Sequence, residues 1–403
     1  MILATKNNIF HDFKSMRSIL DIVNDKVQST TNKCITFFDY MNLVLYDSQQ
    51  GYYGSGNVNI GSEGDFFTSS SLGPDFGELL AEQFKEMAET LGCSNKFTLI
   101  EVGAGYAVLA SDILKYLEKK YPEFYQILDY IIIEESEALI KKQKEHLKHF
   151  SKIKWSSWED ISNNSVVGCI FSNELIDAFP VHQIIVQDKE LKEVYVTVRE
   201  GNIEETIQEL STSQLLEYFQ LINIDLTSQH YPENYRTEVN LKALNWLETV
   251  SHKIKKGYLV TIDYGHIASK YYHPQRYQGT LSCYYQHRYH CNPYINLGSQ
   301  DITAHVDFSA MEIQGNLLGL ELIGLTQQEL FFINLGLGER LAELSSNKYK
   351  LSDVLARRDS LRQLIDPGGL GRFKVLIQGK GLSKVEKDII LSGLKHNSLH
   401  NKN

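Results

Sequence analysis

At 403 residues, with 42% hydrophobic and 22% charged residues, the chain can bury a large core as one elaborated domain or as two. A formal net charge of −10 and a pI near 5.7 argue against a general nucleic-acid or anionic-membrane surface, though not against a local basic patch. No apolar run approaches the ~20 residues that span a bilayer. The five cysteines form no CxxC pair and suit a reducing compartment better than a disulfide framework.

Near the N-terminus, Ile9, Phe13, Met16, Leu20, Val23 and Val27 recur by threes and fours and predict an amphipathic helix. Asp12, Asp21 and Asp25 interrupt a segment with few arginines, which disfavours a mitochondrial presequence, so the expected compartment is the cytoplasm. Thr36, with Asp39 three residues on, reads as the cap of a second helix burying Phe38, Met41 and Leu45. Five glycines then fall within residues 51–64, among Tyr52, Tyr53, Phe66 and Phe67. The aromatics distinguish a folded loop near a ligand or another backbone from a flexible linker, a plain surface loop being the alternative. Pro74 opens a helix with the face Phe76, Leu80, Phe84, Met87 and Leu91.

The organising stretch is 97–117. Residues 97–102 are a short apolar strand, Gly103-Ala104-Gly105 breaks it, and Leu109, Ile113, Tyr116 and Leu117 continue at helical spacing. Such a turn lets backbone pass under a nucleotide-like ligand; a simple tight connection is the bland alternative. A second strand, 130–133, ends in Glu134-Glu135-Ser136, where an acidic side chain would hold a ribose diol. Ala107-Val108 stand where a third glycine would fall, which counts against a nicotinamide dinucleotide and leaves room for S-adenosylmethionine. Strands at 153–155 and 166–171 follow, the latter ending in Ser172-Asn173-Glu174. Alternating strands and helices imply a doubly wound parallel sheet, with ligands at the strand carboxyl ends. Gly103, Gly105, Glu134 and Asn173-Glu174 all fall on that edge.

Residues 181–250 read as an insertion: a hairpin (181–186 and 194–198), then helical, polar sequence. A fifth strand, 257–262, ends in Asp263-Tyr264-Gly265-His266. Residues 270–310, dense in Tyr, His and Asn, suggest a cap over the site. Segments 320–325 and 374–378 close the sheet as an antiparallel pair, and the tail frays after Gly381. The division this implies is an N-terminal region (1–92) packing on the core, a core (93–180 and 251–380), an inserted partner subdomain (181–250) and a tail (381–403). Cys283, His287, His290 and Cys291 match no standard zinc spacing, so no metal is expected.

Taken together, Gly51-Tyr52-Tyr53, Gly64-Asp65-Phe66 with Thr68-Ser69, Glu101-Val102-Gly103-Ala104-Gly105, Asn173-Glu174 with 177–181, Ile262-Asp263-Tyr264-Gly265 and residues 301–308 resemble the MidA-like family of class I S-adenosylmethionine-dependent methyltransferases. The resemblance runs from about Thr36 to Gly379. It implies a seven-stranded, Rossmann-like class I methyltransferase sheet with N-terminal helices and a substrate-capping insertion. Its mitochondrial member is a complex I assembly factor that dimethylates an arginine. The turn here lacks the arginine, glycine and threonine common after the second glycine, Ser71-Leu72 replaces Pro-Glu, and Ile176 replaces an aromatic residue.

The resemblance implies S-adenosylmethionine as cofactor. Gly103, Ala104 and Gly105 would pass beneath its methionine part, Glu101 would orient the amino end and Glu134 would hold the ribose. Residues around Trp155–Trp158, Ser156 among them, would flank the adenine, and Thr68 and Ser69 would complete the site. A guanidinium acceptor is charged at neutral pH and needs carboxylates. Glu174 and Asp177, with Asn173, are the catalytic candidates, and Asp263, Tyr264, His305 and Asp307 the substrate candidates. Asp177 as a helix cap and His305 as a structural histidine are the alternatives. The expected partner is a protein, such as a subunit of a complex-I-like dehydrogenase; nucleic acid and membrane insertion are not expected, and a homodimer is allowed. A non-catalytic assembly protein that keeps this fold is the second function class, and a nicotinamide oxidoreductase a distant third.

Overall fold

On a strand buried on both faces, alternate side chains enter opposite layers. Leu99, Cys169 and Phe171 enter one apolar cluster; Ile100, Ile170 and Leu259 enter the other. The structure, a computed structural model, describes residues 17–56, 72–286, 288–344 and 350–395. The helices used below are α1 (Ile19–Ser29), α2 (Phe37–Tyr46), α3 (Asp75–Thr90), α4 (Val108–Lys120), α5 (Glu137–His146), α6 (Leu241–Lys253) and α7 (Phe308–Leu317). The main sheet is built from β1 (Phe97–Val102), β2 (Leu128–Ile133), β3 (Ile153–Ser156), β4 (Val166–Asn173), β5 (Ile254–Asp263), β6 (Glu321–Gln327) and β7 (Lys374–Lys380).

Its order is β3-β2-β1-β4-β5-β7-β6. β7 is antiparallel to both neighbours, β5 and β6, while the pairs from β3 to β5 are parallel. Helices α3 and α4 cover one face through Phe76, Leu80, Phe84, Leu109 and Ile113; α6 and α7 cover the other through Trp246, Leu247, Phe308 and Met311. The sheet is therefore the expected doubly wound, seven-stranded one, with its antiparallel closing pair. The chain leaves β1 toward β2 and β3, then returns to β4 on the opposite side. That reversal opens a crevice at the carboxyl ends of β1 and β4.

The insertion is more strand-rich than its polar sequence suggests. Strands His182–Gln187 and Glu190–Arg199 form the expected hairpin, and Asn202–Gln208, Arg236–Val239 and Ile35–Thr36 extend it into an antiparallel sheet. The N-terminal helices divide. α3 joins the main sheet, whereas α1 and α2 share a core with Val181, Val196, Cys283 and Ile302. Ile9, Phe13 and Met16 lie outside the described residues. Thr36 caps α2, its Oγ1 accepting from Asp39 N at 3.1 Å. The segment after Gly381 docks instead of fraying as far as Lys395: Ser392 N donates to Glu86 and Gly393 N to Gln83 Oε1.

Candidate active site

Gly103 ends β1 at φ +71°, and its N–H donates to Ile133 O at 2.9 Å, tying the ends of β1 and β2. Ala107, where a third glycine is missing, nonetheless adopts φ +58° at the cap of α4. The chain thus follows the glycine-type turn with an alanine, at a cost of roughly 1–2 kcal/mol. Glu134, at the end of β2, is half-buried. Its Oε1 accepts from the N–H groups of Glu135 (3.0 Å) and Ser136 (3.1 Å), and its Oε2 from Gln143 Nε2 (3.1 Å). Burial holds its carboxyl above the usual range.

Gln143 is the residue the motifs missed. Its amide also donates to Gly105 O at 2.9 Å and accepts from Trp155 Nε1 at 2.8 Å, so one buried side chain joins the ends of β1, β2 and β3. The signal was a glutamine four residues after Leu139, on the inward face of an otherwise charged helix. Ser156 ends β3 opposite Ile133. Glu101 is buried, accepts from Tyr130 OH at 2.6 Å, and is raised to about 7, chiefly by burial. The turn at Gly51–Gly56 leans on α5, with Lys142 Nζ donating to Gly56 O at 2.6 Å. Thr68 and Ser69 lie outside the described residues.

These residues fit the expected cofactor. Three donors fill three of the roughly four acceptor positions of the Glu134 carboxylate, fixing an acceptor-only group at the strand end where a diol would donate.

The second half of the site lies at β4 and β5. Glu174 stands at φ +52°, its N–H donating to Ile262 O at 2.9 Å, and its Oε1 accepts from Asn173 Nδ2 at 3.1 Å. Asp263 is the organiser of this turn. Its Oδ2 accepts from the N–H groups of Ile176 (2.9 Å) and Asp177 (3.3 Å), and its Oδ1 from Tyr264 N (2.9 Å). Asp177 caps no helix: it is buried in a turn, and its Oδ1 has no hydrogen-bond partner among the described residues. Burial drives the carboxyls of Asp177 and Asp263 upward, and the charge of Asp177 further opposes ionisation of Asp263.

A cavity of about 820 Å³ opens here, lined by Glu174, Asp177, Tyr264, Tyr284, Asp301 and His305. His305 lies 5.1 Å from the rings of both Tyr264 and His266. Burial lowers His266 to about 4 and His305 to about 3, so both are neutral at neutral pH. Asp307 sits apart. It caps α7, accepting from Ser309 N at 3.0 Å and Ala310 N at 3.3 Å, and takes Tyr218 OH at 3.1 Å. Leu175 joins the two half-sites, since a Cβ added to Gly103 would lie 2.7 Å from Leu175 Cδ1. A larger groove of about 960 Å³ lies at the far end of α4, beside the pairs of Arg340 with Asp75 and Glu78, away from the strand ends. Among the described residues no three His, Cys, Asp or Glu side chains are grouped to hold a metal; His287 lies outside them.

A family model described as "Putative S-adenosyl-L-methionine-dependent methyltransferase" matches residues 79–326, more than half of the chain. The chain belongs to that family. Among solved structures, this methyltransferase is similar to a Burkholderia thailandensis protein bound to S-adenosyl-homocysteine, at 29% identity over 94% of each chain and a TM-score of 0.81. Among curated proteins it is 28% identical to the Drosophila melanogaster protein arginine methyltransferase NDUFAF7 homolog, mitochondrial, over 87% of this chain and 82% of that one. It is 27% identical to human protein arginine methyltransferase NDUFAF7, mitochondrial, over 79% and 73%. The MidA-like membership, the class I fold and S-adenosylmethionine as cofactor stand. The expected cytoplasmic location does not: these relatives are mitochondrial proteins. Counting arginines against aspartates near the N-terminus is too weak an argument to set against them. Among the described residues no helix is long and apolar enough to cross a membrane.

Proposed function

We propose that this methyltransferase modifies an arginine of a protein, with the β4–β5 cavity receiving the guanidinium and the β1–β3 ends holding the cofactor. The observation that carries the reading is the cavity itself: three carboxyl groups, of Glu174, Asp177 and Asp301, walled by Tyr264 and Tyr284 and fastened to the glycine turn through Leu175, with Lys270, Arg372 and Lys374 also in its lining. A guanidinium presents a planar fork of N–H donors that carboxylates accept, and a π-face that tyrosines cover. The names of the curated relatives point the same way.

When bound, S-adenosylmethionine supplies an electrophilic methyl group on a sulfonium. The chain's residues supply position and proton handling. Glu174 and Asp177 orient the guanidinium, and a carboxylate takes the proton that one nitrogen loses as it forms its bond to carbon. The neutral imidazole of His305 adds no competing positive charge. Asn173 fixes the Glu174 carboxylate, and Asp263 holds the turn. A subunit of a complex-I-like dehydrogenase is the partner the family resemblance suggests.

The test is Glu174→Gln, which keeps size and backbone. It should bind S-adenosylhomocysteine by calorimetry as wild type does and transfer labelled methyl to the purified dehydrogenase subunit about 100-fold more slowly. Equal rates would remove Glu174 from the mechanism. Wild-type protein that binds cofactor but never turns over would favour the assembly-protein class.

A further inference from the structure

The acceptor cavity is not lined by acids alone. Lys270, Arg372 and Lys374 reach it from three separate elements. Lys270 lies on the short helix Ala268–Tyr271, Arg372 ends the 3₁₀ turn Leu370–Arg372, and Lys374 opens β7 in register with Asp263 of β5. Lys270 and Arg372 are exposed and Lys374 is half-buried, so a ligand can touch all three. Among the described residues none of these three side chains forms an ion pair or a hydrogen bond. Asp366, the acid just before the turn, accepts from Gly368 N at 3.0 Å instead. The cations crowd one another. Burial, and after it the charge of Lys270, lowers the Lys374 ammonium below its usual value. Burial first, then Arg276, Lys374, Lys270 and Arg372, hold His266 neutral. Arg276 belongs to a smaller neighbouring cavity and meets His266 Nε2 through Nη2 at 3.1 Å.

Charge decides what such a lining admits. A lone guanidinium is drawn to Glu174, Asp177 and Asp301 and repelled by the three cations. Burial also drives Asp177 toward its neutral form, which leaves less negative charge to offset them. A carboxylate on the same acceptor segment meets the opposite pattern. The cations attract it, and it shields the arginine from them. Residues along an extended chain advance about 3.3–3.6 Å each, so an acid one or two positions from the arginine stays within an opening of this size. A carboxamide at that place gains no charge pairing, and a lysine adds repulsion. Inorganic phosphate carries a like charge but is not tethered to the arginine, and tethering raises effective concentration.

We propose that Lys270, Arg372 and Lys374 form an acid-selecting subsite for an aspartate or glutamate one or two residues from the methylated arginine of the protein substrate. This rests on the arginine reading of the acceptor cavity. The test is calorimetric titration of the full chain, loaded with S-adenosylhomocysteine, with N-acetyl-arginine amide, inorganic phosphate and acetylated pentapeptide amides. In the peptides a central arginine is flanked on each side by two aspartates, two asparagines or two lysines. The aspartate peptide should bind about tenfold more tightly than the asparagine one, since exposed pairs are weak singly and three act together. The lysine peptide should bind more weakly than either. The aspartate preference should fade at about 1 M salt, where the screening length is about 3 Å. Lys270→Gln combined with Arg372→Gln, both at exposed positions, should cut the preference to about twofold. The same variant should bind N-acetyl-arginine amide more tightly than wild type, a gain that damage to the fold would not produce. Its affinity for S-adenosylhomocysteine should not move. Equal binding of the aspartate and asparagine peptides, or a preference that survives the double substitution, overturns the subsite and leaves the arginine reading standing. So does phosphate binding as tight as that of the aspartate peptide, which would make this a small-anion site. Weakened cofactor binding in the variant overturns it too, by assigning the cations to the cofactor. If N-acetyl-arginine amide and every peptide fail to bind, the arginine reading falls and takes the subsite with it.

Discussion

Glu101 places a carboxyl group where water does not reach, with Tyr130 OH as its partner. Burial raises its pKa from 4.5 to about 7 in the folded chain. Below pH 4.5 both the folded and the unfolded chain hold the proton, and no penalty arises. Between 4.5 and 7 the unfolded chain releases its proton while the folded chain keeps it, so stability falls as pH rises. Above 7 both are ionised and the full penalty persists, on the order of 3 kcal/mol. Glu101→Gln keeps an acceptor for Tyr130 and removes the titration. The ligand-free variant should therefore melt a few degrees above wild type at pH 8 and at nearly the same temperature at pH 4.5. An equal shift at both pH values would show that Glu101 is not held protonated. At this scale, the residues legible in the sequence were those the chain's own punctuation marks: Gly103, Glu134 and Glu174 each follow directly on an apolar strand. Gln143 was hidden because its role depends on how α5 rolls over the strand ends. Asp263 and Asp307 were recognisable as acids of interest; tertiary contacts assign the first to turn geometry, while the second is a helix cap made by local bonds to Ser309 and Ala310.

Elements were legible in proportion to how apolar they are. The runs that became β1, β2, β4 and β5 are buried on both faces and could hardly be read otherwise. Asn202–Gln208 was missed because it is a polar edge strand whose Glu205 is satisfied by Arg236 on another strand, a pairing no local window contains. Within the main sheet, two positions of one row tolerate no side chain. Thr98, Gly168 and Gly257 sit in register across β1, β4 and β5. Gly168 has φ +150° and Gly257 φ +145°; a Cβ on Gly168 would overlap Thr98 O, and one on Gly257 would overlap Gly168 O. Gly168→Ala should thus cost about 3 kcal/mol or more, combining backbone strain with parting of the strands. Gly201→Ala is the control, since φ there is +79° but an added Cβ meets nothing within 4 Å. It should lose about 1 kcal/mol in the same chemical denaturation series. Equal losses would mean that the sheet yields locally and that the row is no constraint.

At the scale of the whole molecule, an N-terminal layer braces the β4–β5 cavity. Tyr46 OH donates to Ala178 O at 2.9 Å, bracing the turn that carries Asp177, and its ring stacks on Tyr53. Tyr53 OH donates to Asp301 Oδ1 at 2.7 Å, a contact spanning 248 positions of sequence. Lys242, on α6, lies over the rings of Tyr46 and Phe179 and completes the brace. No periodicity could announce that Gly51-Tyr52-Tyr53 belongs with residues 177–179 and 301. Only the family resemblance grouped those blocks, and it did so without saying how they touch. The Gly51–Gly56 turn meets α5 through the carbonyls of Gly54 and Gly56, whereas the Tyr53 hydroxyl reaches only the β4–β5 cavity, so loss of that hydroxyl should separate the two halves of the site. Tyr53→Phe keeps the ring stacking and removes one hydrogen bond to a buried carboxylate, worth about 1.5–3 kcal/mol. The expected outcome is an unchanged affinity for S-adenosylhomocysteine beside a roughly tenfold rise in KM for the protein acceptor, measured in steady-state methylation with saturating cofactor. A parallel loss of cofactor affinity would show that the N-terminal layer supports the whole strand edge instead of the acceptor cavity alone.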